Sequence, residues 1–577
     1  MKHLDGTEWK VKKIGVIGPG IVGMPMAALL AHARIRIGSE EPAKVVVVQR
    51  NSPHSGWKVA AINQGRSVIG GIEPGLDDIV RESVQEGLLS ASHDYSVLND
   101  ADVVLVAIQT DKKGLEPDYG PLFSGLTDLA VALQKKPSGK IPLVIFESTL
   151  APSTMDTLIK PFFASYGLQE GKDILLGNSP NRVMPGRLVE RIAQADKLVA
   201  GLHPLTPQLI RQLYSFIVTR AELHTTNSYT AEIVKTLENA YRDVRIAFSA
   251  EIVRYCDDND IDFYALRDEV NKELARPDES SSNPTAVPTG AMLIPALGVG
   301  GHCLPKDGIL LWWRKLEKDG PSSDSLILKA REINDEAPAK TLELAEKHFG
   351  SLNGKSVALL GAAYRFNSED TRNSPTLVFA RELISKGCRV VLHDPFVKKD
   401  DQNILRYGFS DILTHNLSEA LREAEYIFVC TAHSMYVDGL SEILSSAPMA
   451  RGLFDACNAY PQKNLNQETV RMAGIGKGRK TPSPTFVDFV YKGFRAMETG
   501  VANEVAMLCN FFNQEYHLNE FNRVHYGRVR ELAGTCTTGC DLAVPGQVTH
   551  SVEYDGFIPR LVQCALQQAR TNTFSAL

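Results

Sequence analysis

Long apolar runs are missing from this sequence. No stretch approaches the roughly 18 uninterrupted apolar residues of a membrane span, and the opening "MKHLDGTEWKVKK" lacks the apolar core of a secretory signal. No membrane partner is expected, and a cytoplasmic location is. Cysteine is sparse: nine residues scattered through 577 make an odd count and no disulfide framework. The tightest spacing, Cys536 and Cys540 in "CTTGC", has no second Cys/His pair at zinc-ligand spacing, so no metal is expected. Basic excess is absent too: 62 Lys and Arg against 68 Asp and Glu give a formal charge of −6, which argues against a nucleic-acid partner. What is present is 44% hydrophobic residues, enough for roughly three or four domains.

The apolar residues are organised in blocks. "KKIGVIGPGIVGMPMAALLAHA" (12–33) reads as strand, glycine turn and helix, and "KVVVVQR" (44–50), "DADVVLVAIQTD" (100–111) and "IPLVIFESTL" (141–150) are short β-branched runs between turn or helical patterns. This alternation predicts a doubly wound parallel sheet. From about residue 229 the period becomes 3.6, with Ala231, Val234, Leu237, Tyr241, Val244, Phe248 and Ile252 on one stripe of a long helix, a spine or a dimer surface. A loop by composition follows (275–292), and strand patterns return at 355–364, 388–395, 424–434 and 452–458. The expected fold is α/β: two Rossmann-like domains (1–228 and 346–480) joined by a central helical region (229–345), with an extension (481–577) to which no chemistry is assigned.

The first strand-to-helix turn carries Gly18-x-Gly20-x-x-Gly23, the spacing of a dinucleotide-binding turn, with Ile21 and Val22 inside it. The second sheet has only Gly361 before Ala362-Ala363-Tyr364, which places the dinucleotide on the first domain. At the end of the second strand, where an acidic residue would hold the ribose, stand Gln49 and Arg50. Glutamine can still hydrogen-bond a ribose, while arginine could meet a 2′-phosphate, so NAD is expected with NADP left open. Glu232, Lys235 and Asn239 share one face of the long helix, a pattern that by itself suits a solvated stripe as well as a site.

Three segments in order, "AEIVKTLENAYRDVRIAFSAE", "GVGGHCLPKD" (298–307) and "LLGAAYRFNSEDTRNSP" (359–375), resemble the UDP-glucose/GDP-mannose dehydrogenase family of nucleotide-sugar 6-dehydrogenases, as do "ESTLAPST" (147–154) and "SPNRVMPG" (179–186). The resemblance spans about residues 12–480. It implies NAD-dependent four-electron oxidation of a sugar C6 hydroxymethyl to a uronate, through a thiohemiacetal and a thioester on Cys303. It further implies that Lys235 and Asn239 stabilise the oxyanion, that Asp307 acts with Lys235 in ordering water, and that Thr149 holds the hydrolytic water. Cofactor contacts would come from Thr110, Thr149, Lys306 and Arg372. Contacts to the UDP-sugar would come from Arg182, Val183, Lys235, Asn239, Gly300, His302, Tyr364 and Arg365, the glycines near Cys303 letting sugar and nicotinamide approach.

One position departs from the family pattern. Where the family carries a glutamate that helps water attack the thioester, this chain has Asn181, and an amide takes no proton at neutral pH. Asp307 or Glu147 would then serve, or hydrolysis would be slow. Arg182, Pro185, Gly186 and His302 resemble the branch acting on UDP-N-acetylglucosamine or UDP-N-acetylmannosamine, an enzyme of polysaccharide precursor synthesis. The alternatives are a UDP-glucose 6-dehydrogenase and a nucleotide-sugar-binding homologue with impaired turnover. The long helix suggests a homodimer or a higher homo-oligomer.

Overall fold

The structure is a computed structural model that describes residues 2–70, 73–183, 186–275, 290–320, 325–461, 470–536, 540–548 and 552–571. Pro185 and most of the loop expected at 275–292 lie outside the described residues. The chain forms two compact units: residues 1–238, 310–320 and 506–541 make the first, and residues 239–309, 321–505 and 542–577 the second.

The first unit is built on an eight-stranded sheet. Its spatial order is Leu223–Asn227, Lys197–Gly201, Leu175–Asn178, Leu143–Phe146, Val103–Val106, Lys13–Ile17, Lys44–Val48 and Leu89–Ser92. All neighbours are parallel except Leu175–Asn178 with Lys197–Gly201, which run antiparallel, so the sheet is mixed at one side. Alternate residues go to opposite faces: Val45, Val47, Val103, Leu105, Leu143 and Ile145 enter one core, while Val46, Val48, Val104, Val106, Val144 and Phe146 enter the other. A strand buried on both faces has to be apolar throughout, which is why these runs stood out in the sequence. Strand order reverses at Lys13–Ile17, and an open parallel sheet binds its ligand in the crevice at such a reversal.

The second unit holds an all-parallel six-stranded sheet ordered Leu413–Thr414, Arg389–His393, Ser356–Leu360, Tyr426–Val429, Gly452–Asp455 and Arg471–Gly474. The four strands read from the sequence are all there; Leu413–Thr414 and Arg471–Gly474 were not anticipated.

The long helix is Ser228–Asn259, 32 residues or about nine turns. It is buried on nearly every side, and part of its cover comes from the C-terminal extension. Helix Pro484–Glu515 matches it in length. In the first unit Tyr229 packs on Phe512 and Tyr516, with ring centroids 6.3 and 5.9 Å apart. In the second, Phe248 meets Phe494 edge-on at 5.5 Å, Tyr255 meets Phe486 at 5.2 Å, and the Tyr241 hydroxyl donates to Glu498 Oε1 at 2.8 Å. There the two helices run antiparallel. The extension is therefore part of both cores rather than an appendage.

Candidate active site

In the first unit the glycine turn follows strand Lys13–Ile17 and opens helix Gly23–His32. Gly18 has φ +89, and a Cβ there would lie 2.9 Å from the Ala107 carbonyl oxygen; a Cβ on Gly23 would overlap the Gly18 oxygen. A Cβ on Gly20 would meet nothing within 4 Å. Two of the glycines are thus demanded by the turn itself, and the third leaves open room where a pyrophosphate approaches backbone at a helix N-terminus. This fits a dinucleotide. Ile21 and Val22 are half-buried in the same turn. Gln49 donates to Ser55 Oγ at 2.9 Å. Arg50 turns to Ser124 Oγ at 2.7 Å and Asp128 at 3.5 Å, and a carboxylate beside that guanidinium disfavours a 2′-phosphate.

The strand ends next to this turn carry the other expected groups. The Thr110 hydroxyl donates to the Thr149 carbonyl at 2.7 Å, tying two neighbouring loops together. Two residues before Thr149, Glu147 is fully enclosed. Its carboxylate accepts from Asn181 Nδ2 at 2.9 Å, from Lys197 Nζ at 2.8 Å and from the Tyr214 hydroxyl. Burial pushes the Lys197 ammonium down, with Glu147 pulling the other way and Arg182 and Lys235 adding to the fall. Burial beside Glu147 pushes the Tyr214 phenol well up. Asn181 therefore stands as the outermost donor to a carboxylate, on a loop whose next residue, Arg182, pairs with Glu238.

The long helix presents Glu232, Lys235 and Asn239 as the spacing predicts, but with different duties. Glu232 accepts the backbone N–H groups of Ser153 and Met155 at 2.8 and 2.9 Å and is pushed up to about 8 by burial, so it holds a loop. Lys235 is buried and within electrostatic reach of Lys197.

In the second unit Cys303 immediately precedes helix Leu304–Asp319, and its carbonyl accepts the N–H groups of Lys306 and Asp307 at 3.1 and 2.9 Å. A thiol at a helix N-terminus is biased toward thiolate by the aligned peptide dipoles. Arg372 is within electrostatic reach of Cys303, and its backbone carbonyl accepts from Gly301 N at 2.7 Å. Asp307 is sealed between Lys306 Nζ at 2.5 Å and Asn239 Nδ2 at 2.5 Å.

Several of the expected residues have protein partners. The ammonium of Lys306, expected at the cofactor, is held by Asp307. Arg372, also expected there, makes a two-pronged pair with Asp370. Gly300 and Gly301 accommodate the Tyr364 ring, which a Cβ on either would crowd. Arg182 is engaged by protein on every side, and Val183 beside it packs on the first core. Arg365 lies over the exposed Phe366 ring at 5.8 Å, and His302 is half-buried. Sequence reasoning missed Lys197 and Tyr214. A charge opening an apolar strand, "DKLVAG", was the one signal for Lys197; Tyr214 carried none, being one more apolar residue of a helical pattern.

A glycine turn at the switch point of a parallel sheet, a lysine and an asparagine one turn apart on a long helix, and a cysteine capping another helix define a nicotinamide-dependent dehydrogenase of the two-sheet α/β class. Matches to known proteins narrow this. Residues 12–218, 229–336 and 358–462 match the NAD binding, central and UDP binding domains of the UDP-glucose/GDP-mannose dehydrogenase family. A solved NDP-N-acetyl-D-galactosaminuronic acid dehydrogenase from Methanosarcina mazei is 31% identical, covering 83% of this chain and 98% of its own at a TM-score of 0.68. UDP-N-acetyl-D-mannosamine dehydrogenase of Pyrococcus horikoshii is 27% identical over 81% of this chain and 99% of its own length, and that of Campylobacter jejuni 28% over 74% and 97%. The chain belongs to the UDP-glucose/GDP-mannose dehydrogenase family. It is an NAD-dependent nucleotide-sugar dehydrogenase.

Proposed function

We propose that the chain oxidises the C6 hydroxymethyl of a UDP-N-acetylhexosamine to the carboxylate, in two hydride transfers with no free aldehyde released. The observation that carries this is Cys303 at the head of a 16-residue helix with Arg372 in electrostatic reach. The sugar class is supported by the substrates named for the relatives above. NAD, when bound at the Gly18–Gly23 turn, supplies the hydride acceptor for each step.

The chain's own residues do the rest. As the first hydride leaves C6 for NAD, the hydroxyl proton passes to the water that Lys235 and Asp307 order, and Lys235 and Asn239 stabilise the oxygen's negative charge. The Cys303 thiolate adds to the aldehyde carbon, giving a thiohemiacetal whose C–H can be surrendered as the second hydride to leave a thioester. Water on Thr149 then attacks the thioester carbon, the C–S bond breaks, and the thiolate is restored. In this reading the Asn181 carboxamide, its Nδ2 locked on Glu147, turns Oδ1 toward that water as an acceptor but not a base. Asp307, between Lys306 and Asn239, takes the proton. Tyr364 and Arg365 hold the UDP moiety.

The reaction would take place in the cytoplasm and feed polysaccharide synthesis. The homodimer expected from the long helix needs another surface, because the extension already covers that helix within each unit. The test is NADH and uronate yield from a panel of UDP-sugars, with intact mass of the protein at the end. Two NADH per sugar, highest with an N-acetylhexosamine, supports the reading. Preference for UDP-glucose would make it a UDP-glucose 6-dehydrogenase, and binding without NADH would make it a binding protein. Cys303→Ser should abolish uronate formation and leave NAD binding intact; undiminished uronate from that variant would overturn the thioester route.

A further inference from the structure

The C-terminal extension reaches the loop that carries Asn181. Arg182 has only 6% of its side chain exposed, and its partners are Glu238, the Asp196 carbonyl at 3.2 Å, Thr535 Oγ1 at 2.9 Å and the Leu532 carbonyl at 3.1 Å. The last two belong to the end of helix Tyr526–Gly534, for which Thr535 is the C-cap. The Thr535 hydroxyl donates to the same Leu532 carbonyl at 2.7 Å. Carbonyls in the last turn of a helix have no partner within it and carry the negative end of the helix dipole, so a guanidinium placed there is held by charge as well as by hydrogen bonds.

The helix is itself anchored. Asn227 Nδ2 donates to the carbonyls of Phe521 and Arg523 at 2.8 and 3.1 Å, Arg528 donates to the Thr225 carbonyl at 3.0 Å, and Asn513 brackets Val524 through both backbone groups at 2.8 Å. On the other side of Arg182, one peptide unit away, Asn181 is fixed on Glu147. The loop is thus held at two successive residues, one by the strand-end carboxylate and the next by the extension.

We propose that the extension's Thr535 and the Leu532 carbonyl form a clasp that positions Asn181 through Arg182, making residues 526–535 a built-in positioning element for thioester hydrolysis. Thr535 is a positioning residue; it acts through Arg182. This inference rests on the assignment of the hydrolytic step to the Asn181 loop. It gives the extension a role in turnover that a merely covering helix would not have, and it predicts that the damage from losing the clasp falls after the second hydride transfer.

The experiment compares Thr535→Val, which keeps shape and loses both hydrogen bonds, with Thr535→Ser, which keeps them. Expected for Thr535→Val is a fall in kcat for uronate of about tenfold with KM within about twofold, because a small misplacement at a reacting centre costs rate rather than binding. A sugar adduct should accumulate on Cys303 in intact-mass spectra, the first NADH burst should be unchanged, and Thr535→Ser should match the parent. Unchanged kcat, a rise in KM alone, or equal loss in the serine variant would overturn the proposal. Amide exchange of the peptide carrying Asn181 and Arg182, read on the same proteins, tests the clasp without turnover. Faster exchange confined to the valine variant is expected, and equal protection in all three overturns it. If the parent yields no NADH from any sugar, the assignment of function fails, and the exchange result then decides the clasp by itself.

Discussion

Glu147 has three donors and no exposure, and this decides what substitutions around it should do. Placing a glutamate at 181 would set a second carboxyl where Asn181 Nδ2 now lies 2.9 Å from Glu147. Two carboxylates that close cannot both ionise, so one pKa must rise. Asn181→Glu is therefore expected to lower Tm and to shift the pH dependence of hydrolysis upward. The swapped pair Glu147→Gln/Asn181→Glu restores a single negative charge and should recover most of the lost Tm in the same melting series. Glu147→Gln alone leaves the buried Lys197 without its counter-charge, a loss of about 3–5 kcal/mol, measurable in a urea titration. The glycine turn was legible because steric chemistry demands that residue type there. That Lys197 and Tyr214 would join Glu147 was not, since the three lie on a strand, on a helix and just past another strand's end, and only folding brings them within hydrogen-bond range.

At the scale of elements, the glycine turn separates two kinds of requirement. Gly23→Ala puts a methyl on the Gly18 carbonyl and should lower the Tm of the cofactor-free protein. Gly20→Ala enters open room, so it should leave that Tm alone and weaken NAD by about tenfold or more, read by calorimetry, since only a backbone free of Cβ lets the pyrophosphate in. Buried carboxylates give the elements a shared pH response. Burial pushes Glu170 and Glu232 up to about 8 and Asp257 up to about 7, from ordinary values of 4.5 and 3.8. Between those limits the folded state binds more protons than the unfolded one, so stability falls as pH rises. A Tm highest near pH 5 and declining toward pH 8 is the expected profile, with Glu232→Gln flattening part of the decline. Strand Leu223–Asn227 escaped the sequence because "LHTTN" is polar and half-buried. Helix Pro484–Glu515 carries Phe486, Val490, Phe494, Met497, Val501, Val505, Leu508 and Phe512 at intervals of three and four, a stripe that the mixed helical periodicity of the extension left unread. Its partner, the helix that starts at Ser228, was too far back in the chain for any local reading.

For the whole molecule, the extension replaces solvent along a helix that would otherwise show an aromatic stripe. A chain ended after Lys480 would expose Tyr229, Phe248 and Tyr255, and such a patch drives association. That truncation is expected to aggregate or to self-associate in light scattering, whereas a monodisperse protein with the parent Tm would show the extension to be dispensable. The two sheets followed from periodicity alone. The partition of the extension between both units did not, because nothing in a local pattern says which distant surface it will fill.

That partition also sets a schedule. The first unit begins at residue 1 and is completed only by residues 506–541, and the Arg182 contact with Leu532 joins positions 350 apart. Domains ordinarily fold in turn as they leave the ribosome. Here neither unit is a closed stretch of chain, so the nascent protein carries an unfinished first unit until residues 506–541 have been made. Folding should be slow on account of such distant pairings, and until residue 541 is made the first unit's apolar surfaces should be open to chaperones.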